Sequence, residues 1–541
     1  MQIAMKKAPQ STCLMAAVAI SAFAMTGLSA RAQPAPPAEV ATVPAPRFAV
    51  KGFRLVGENP LGEVQAAQVL APYVRADATL ETLQQAATAL ETAMRDRGFG
   101  LHRVALSPQS VGDTVLLTIV HFSVASVKVE GASLYDEANI LRSLPDLQIG
   151  STPNFKRLAV QTAIANENQG KQIQLGVKES AESDKVDASI LVKETRLWNL
   201  TAGINNNGSA ATGQDRFTVA ATHSNMLKLD HQFSAAYTTS LEHSSNVKQL
   251  GLSYRMPLYS LGGVMGASYT RSDVVGSFGT FTSTGAGRTA SVNYTHYLVP
   301  QKGYRSYVTF GVDDKVFDPS QLNGITIVGQ LVRRSRQISL GYAARHDADR
   351  SLLSYNLDLA TNLVGGEGNT LLAYQSEDPR INNVRWKALR GNVNYLSNLT
   401  GNWQWSVRSA LQYSGDALIA GEQFGVGGVA SVRGTTERPV AGDRGLSTAL
   451  EITTPELTSG LRLLGFVDAG WLSNNHVNGT SKPANDSLAS TGLGLRYGTQ
   501  WATLGLDYGY VVKGSVVPQT INSVSPKKGD QKLHVNLTAK F

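Results

Sequence analysis

From Leu197 to Phe541 the chain repeats one pattern, in which apolar and polar residues alternate in runs of about ten separated by turn-forming residues. In the last run, Leu533, Val535, Leu537, Ala539 and Phe541 fall on one face, and His534, Asn536, Thr538 and Lys540 on the other. A period of two belongs to a strand, whose successive side chains point to opposite faces. Leu504, Leu506, Tyr508 and Tyr510 alternate in the same way with Gly505, Asp507 and Gly509. Sixteen such segments can be counted, beginning near Leu197, Asp215, Asp230, Val247, Gly262, Arg288, Tyr304, Gln330, Ser351, Arg385, Trp403, Leu446, Leu461, Ala489, Trp501 and Asp530. An even number of such strands is what a closed antiparallel transmembrane β-barrel requires, since an open edge in lipid would leave backbone groups unpaired. A soluble β-sandwich or solenoid would also alternate, but it gives no reason for the aromatic that ends the last strand. The mean hydropathy of −0.12 fits a barrel as well as a soluble protein, because lumen-facing and lipid-facing residues average out. Beyond residue 32 no run of 18 apolar residues occurs, which argues against helical membrane spans.

The segment before the barrel has a different character. Residues 1–32 read as a secretory signal: Lys6 and Lys7 form a basic start, Leu14 to Leu28 an apolar core, and Ala30-Arg31-Ala32 a cleavage site. An N-terminal membrane anchor is the alternative, but the apolar run is short for one. The single cysteine, Cys13, falls inside this signal, so disulfides and thiol chemistry are not expected of the mature chain. The formal charge of +8 drops by three on loss of Lys6, Lys7 and Arg31, and no long basic run remains to favour nucleic acid. Residues 33–47 are a Pro/Ala-rich linker. Two small α+β units follow, over 48–123 and 124–196. In the first, Phe48, Val50, Phe53 and Leu55 open a strand. Leu80, Leu83, Ala87, Leu90 and Met94 then form a helical stripe ending at Gly98, followed by strands over Arg103 to Leu106 and Val115 to Phe122. The second repeats the theme from Val124.

One connection breaks the barrel rhythm. Residues 416–446 lie between two candidate strands, and an unstructured loop of that length is usually functional or disordered. Its composition points to function: Gly425, Gly427 and Gly428 permit sharp turns with positive φ, Val432-Arg433-Gly434 places a guanidinium at a tip, and Gly442-Asp443-Arg444-Gly445 marks the return. With both barrel ends in the periplasm, it is the sixth extracellular loop. Catalytic and cofactor signals are missing: there is no H-E-x-x-H, G-x-S-x-G or P-loop, and the nine histidines do not cluster at metal-ligand spacing. Ser525-Pro526-Lys527-Lys528 fits S-x-x-K only by letter. No enzymatic activity, cofactor or metal is expected.

The order of signal, two α+β units, sixteen strands, V-R-G loop and final Phe resembles the two-partner secretion outer-membrane transporters of the FhaC/ShlB/HecB haemolysin secretion/activation type, in the Omp85 superfamily. The likeness spans essentially the whole mature chain. Leu106-Ser107-Pro108-Gln109 with Gly112-Asp113 is similar to the segment closing that family's first POTRA domain. Val432-Arg433-Gly434, Glu437, Gly442-Asp443, Gly445 and Glu451 match its loop pattern, and Phe466-Val467-Asp468-Ala469-Gly470 its F-x-D-x-G strand. Two positions depart from the family: Thr435 stands where it has Phe or Tyr, and His121-Phe122 where it has Glu-Gly.

The resemblance implies two periplasmic POTRA-like α+β domains followed by a 16-stranded antiparallel transmembrane β-barrel, a monomer in the bacterial outer membrane. It implies that Arg433 folds into the lumen and pairs with Asp468 on the wall, beside Phe466 and Gly470, rather than lying solvated at the surface. Phe541 would be the C-terminal assembly signal, with the barrel assembly machinery, periplasmic chaperones and outer-membrane lipid as partners. The client would be one large secreted exoprotein, an adhesin or cytolysin, captured unfolded by the POTRA-like units and exported without ATP. An assembly factor inserting other barrels would share the loop but usually carries more POTRA units. A passive porin would need neither the loop nor the periplasmic units.

Overall fold

A computed structural model describes residues 46–109, 113–209, 212–322, 325–518 and 525–541. The expected signal, nearly all of the linker and Gly112 of the first unit's motif lie outside these. Sixteen antiparallel strands close into a barrel between Trp198 and Lys540, the last pairing with the first from Asn536 opposite Asn205 to Lys540 opposite Thr201. Every predicted segment is a strand. The fourteenth starts earlier than expected, at Asn485 rather than near Ala489. There the alternation is hidden, because Leu488 faces inward onto other apolar side chains, and the pairing with the next strand shifts at Ala489/Ser490.

The pleat sorts the wall. On strand Leu461–Ser473, Leu464, Phe466, Asp468 and Leu472 are buried while Leu463, Val467 and Trp471 are exposed to the lipid side. On the last strand His534 is buried and Leu533 and Leu537 are exposed. Phe541 follows it with its ring exposed and its N–H donating to the Leu200 carbonyl at 2.9 Å. Connections on the periplasmic side are short, such as residues 227–230 and 499–501. On the opposite side the eleventh strand ends at Tyr413 and the twelfth begins at Arg444, so the long connection is 414–443 rather than 416–446. Its end moves back because Arg444 and Gly445 already pair with Ser473 and Leu472.

The first α+β unit has a three-stranded sheet in which Thr114–His121 lies between Gly52–Val56, parallel, and His102–Leu106, antiparallel. Helix Leu80–Asp96 lays Leu83, Ala87, Leu90 and Met94 onto it. The predicted stripe fails at its first residue: Leu80 is exposed, since it directly follows the Thr79 cap, and Ala86 is buried instead. Phe48 likewise lies outside the first strand and forms a lone bridge to Ala78. Pro108 is exposed. The Gln109 amide mimics a strand neighbour: its Oε1 accepts from Leu116 N–H at 2.7 Å and its Nε2 donates to the Leu116 carbonyl at 2.8 Å. This satisfies the sheet beyond Leu106, where the ladder has ended. His102 is buried in the same sheet, and burial, helped by neighbouring His121, holds its imidazole below the ordinary value.

The second unit repeats this plan with Ser123–Glu130, Lys185–Glu194 and Lys171–Glu179, covered by helices Glu137–Arg142 and Phe155–Ala165. It is fastened to the periplasmic rim of the barrel by buried polar groups. Lys171 Nζ lies 2.9 Å from Asp230 Oδ2, both side chains shut off from solvent, and Asp230 also accepts from Tyr259 and Asn168. Asn139 donates to Asn225 Oδ1 at 3.1 Å and to the Lys228 carbonyl at 2.8 Å. Burial lowers the Lys171 amine below its ordinary value, with Asp230 opposing the shift. Closer to the lumen, Glu167 accepts from Arg255 at 2.7 Å and from Tyr297.

Candidate functional site

The long connection enters the barrel as a hairpin, Phe424–Val426 paired with Val440–Gly442. Val426, Val432 and Val440 pack with Leu472 and Leu488 of the inner wall, so the loop is held by an apolar seat as well as by polar bonds. Gly470 makes room for this seat: a Cβ there would lie 2.3 Å from Val426 Cγ1. Gly427 and Gly428 have φ of 114° and 89° and supply the turn. Gly425 does not, contrary to expectation. It is extended in the hairpin strand, and what needs glycine is the Arg438 side chain, whose Cγ a Cβ would meet at 2.1 Å.

Arg433 is almost wholly buried and sits opposite Asp468. Its Nε and Nη2 donate to Asp468 Oδ2 and Oδ1 at 2.8 and 2.7 Å, and its own backbone N–H donates to Oδ2 at 3.0 Å. This planar, charge-assisted fork fixes orientation as well as distance, which a lysine could not do. Nη1 lies 2.7 Å from Glu451 Oε1 and 3.8 Å from Asp507 Oδ1. The guanidinium carbon stacks 3.4 Å from the centre of the Phe466 ring. Glu451 is also paired with Arg408 at 2.8 Å and Asp507 with Arg496 at 2.9 Å, so three arginines balance three carboxylates. A network that is paired throughout avoids the large cost of an isolated buried charge.

The residues around Arg433 explain the rest of the motif. Gly434 has φ of 88°, and a Cβ there would meet the Gly509 carbonyl carbon at 2.8 Å. Loop and wall therefore touch backbone to backbone, and the Gly434 N–H donates to His534 Nε2 at 3.1 Å. Thr435 is buried; its hydroxyl accepts from Gly428 N–H at 2.9 Å and donates to the Val432 carbonyl at 2.8 Å. A hydroxyl thus ties the turn together at this position, and the ring over the guanidinium comes from the wall as Phe466. Glu437 accepts from Val429 N–H at 3.1 Å, closing the turn from the other side.

At the loop base, Asp443 is completely buried and fully bonded. Leu418 N–H and Gln423 Nε2 reach Oδ1 at 2.9 and 3.0 Å, while Asn475 N–H and Arg380 Nη1 reach Oδ2 at 2.8 and 3.0 Å. Asp443 therefore joins three extracellular connections, 363–386, 414–443 and 474–484, into one cap. Gly442 packs close to the wall, where a Cβ on it would lie 3.2 Å from Leu472 Cβ. Glu422, in the same loop, takes Arg390 at 2.7 Å and Lys315 at 3.2 Å from two other strands of the wall.

Arg433, Asp468, Phe466, Gly470, Val432, Gly434 and Glu437 thus form one cluster, with Gly442 and Asp443 at its base. Pro108 and Gln109 are in the first unit and Phe541 at the periplasmic rim. Asp507, Gly509 and His534 are partners of the loop that the motif does not name. Their signal was present, since all three occupy inward positions of the two clearest alternating strands, but only barrel closure says which inward residues meet the loop.

Residues 185–497 match the family described as haemolysin secretion/activation protein ShlB/FhaC/HecB. The chain belongs to this family. Residues 48–121 match a POTRA domain of ShlB type. The outer membrane transporter CdiB of Dickeya dadantii is 21% identical over 487 residues, covering 86% of this chain and 83% of the relative. The structure of CdiB from Escherichia coli superposes with a TM-score of 0.70 at 16% identity, over 94% of this chain and 93% of the other. CdiB from Acinetobacter baumannii gives 0.69 at 18% identity, over 92% and 90%. As a member of the ShlB/FhaC/HecB family, the chain is an outer-membrane transporter of the two-partner secretion type. Its barrel spans the membrane, its POTRA domains face the periplasm, and its partner is a secreted exoprotein.

Proposed function

We propose that this transporter exports one large exoprotein, of adhesin or cytolysin type, through its barrel, and that the Arg433 loop is the element that holds the lumen in its resting arrangement. The observation that carries this reading is the buried fork between Arg433 and Asp468, because an arginine in a long loop gains such a geometry only by being drawn into the lumen. A closed conduit needs an obstruction that can leave, and the loop is tied mostly by polar bonds that a hydrated passing chain can replace one at a time. Asp443 and Val432 set its base and seat, while Gly434 and Glu437 shape its tip.

The POTRA domains capture the unfolded client. The edge strands of their sheets are Gly52–Val56 and His102–Leu106 in the first unit and Ser123–Glu130 and Lys171–Glu179 in the second. An extended segment can add as a strand along the stretches of these edges beyond Val104, Val124 and Ile173, whose outward backbone groups are already bonded. Export uses no ATP; folding of the client outside removes the unfolded chain and biases its passage. The barrel works as a monomer, inserted with the help of the barrel assembly machinery and periplasmic chaperones, Phe541 being the residue they read.

The test is deletion of the gene followed by a survey of the culture medium and the outer membrane. Loss of one large protein from the medium, with other barrels at normal abundance, is the expected result. A general fall in outer-membrane barrels would overturn the reading in favour of an assembly factor.

A further inference from the structure

The periplasmic rim of the barrel carries a second feature, apart from the Arg433 cluster. Beneath the periplasmic turn 298–303 lies a groove of about 870 Å³, walled by the ends of helices Leu80–Asp96 and Phe155–Ala165 and by the barrel. Three cations line it, Arg95, Lys156 and Lys302, together with one acid, Asp96. Among the described residues, none of the three cations has a carboxylate within ion-pair distance; Arg95 reaches only the Thr92 hydroxyl, at 3.2 Å. On the same strand as Tyr304, by contrast, Arg305 is paired with Asp347 at 2.6 Å.

The groove's position relative to the membrane follows from the pleat. Tyr304 has the parity of exposed Phe310 and Val312, Tyr342 that of exposed Leu340, and Tyr355 that of exposed Leu357 and Leu359. All three tyrosines therefore face lipid, and their hydroxyls meet, Tyr304 lying 2.8 Å from both others. Tyrosines with apolar bodies and clustered hydroxyls mark the headgroup level of a bilayer. Exposed Trp198, Trp501 and Phe541 continue this girdle around the same rim. Tyr304 and exposed Val299 belong to the groove wall, so it opens where inner-leaflet headgroups sit.

We propose that the groove holds the headgroup of an inner-leaflet glycerophospholipid. Its phosphate lies among Lys156, Lys302 and Arg95, and its glycerol and first acyl carbons rest on Val299 and Tyr304. An ethanolamine ammonium would find Asp96 beside the phosphate. An acidic polypeptide would satisfy the cations but has no use for the apolar, lipid-facing side, which is why the lipid is favoured. Such a lipid touches both POTRA domains and the barrel at once, and so steadies the periplasmic arm against the membrane.

The test uses the full chain in nanodiscs of phosphatidylethanolamine and phosphatidylglycerol, released for native mass spectrometry, with a photoactivatable phospholipid in a parallel sample. One retained phospholipid is expected, cross-linked within 298–304. The variant Arg95→Gln/Lys156→Gln/Lys302→Gln is expected to lose it while keeping the heat-shifted migration of a folded barrel. If that variant does not insert, Lys302→Gln on its exposed turn is expected to lower retention by itself. Retention unchanged in these variants, cross-links elsewhere on the rim, or binding of a polyglutamate peptide in place of lipid would overturn the proposal.

Discussion

Arg433→Ala should release the loop rather than unfold the barrel. Among the described residues, the substitution leaves Asp468, which is completely buried, with only the backbone N–H of residue 433 at 3.0 Å, while Glu451 keeps Arg408. Leaving one buried charge without its partner costs about 3–5 kcal/mol. The lost stacking on Phe466 adds about 1 kcal/mol. The apolar seat of Val426, Val432 and Val440 stays, so the penalty falls on the polar anchor. Even the low end of the charge term alone, about 3 kcal/mol, raises the released population roughly 100-fold, at a factor of ten per 1.4 kcal/mol. A reporter is easily placed, since the only cysteine, Cys13, falls in the expected signal. Thr436→Cys, one residue past the buried turn, should react with a membrane-impermeant maleimide on whole cells about 100-fold faster in the Arg433→Ala background, where reaction follows the open population. Adding Asp468→Asn removes the orphaned charge and should slow labelling again, which a general loosening would not do. Export should fall in Arg433→Ala with the barrel inserted at normal abundance. A labelling rate unchanged by Arg433→Ala, or unchanged by the added Asp468→Asn, would refute the anchoring argument.

Three further outcomes are expected. Gly434→Ala should mimic Arg433→Ala in the labelling assay, because positive φ and the 2.8 Å approach to Gly509 leave no space for a methyl group, a strain of about 1–3 kcal/mol. Asp230→Asn should loosen the second POTRA domain from the rim by about 3–5 kcal/mol, since it strands the buried Lys171 amine; hydrogen exchange over 171–179 and 224–230 should accelerate while the heat-shifted barrel band persists. The first POTRA domain should weaken on acidification. His102 has a folded-state value below its ordinary 6.5, so the unfolded chain takes up the proton first; stability is full above pH 6.5 and falls as pH drops from there toward the depressed value. Exchange of residues 102–121 should therefore rise between neutral and mildly acidic pH, and His102→Gln should flatten that dependence.

Much of the fold could be read in the sequence because lipid and lumen impose opposite demands on alternate residues. That constraint is local, so strands as far apart as Trp198–Asn205 and Gln531–Lys540 were visible without knowing that they pair. It failed where the lumen itself turns apolar, as at Leu488 beneath the hairpin. Within the site, Arg433 and Asp468 were legible as a motif, whereas Asp507 and His534 were not. The periplasmic fastening left no signal either: Lys171 reads as a strand lysine and Asp230 as a turn residue, and only packing removes both from water.

Residue order alone therefore specifies the strand count, the inward and outward faces, the two α+β units and the arginine-bearing loop, each the product of side-chain preference within a few residues. Where the loop goes and what it meets depends on the closed barrel. Closure brings Glu451, Asp468, Asp507 and His534 from four different strands to one level of the lumen, and the register of each ladder sets their distances to Arg433. A pair of charges becomes an anchor only when that closure also excludes water, which no run of residues can do alone.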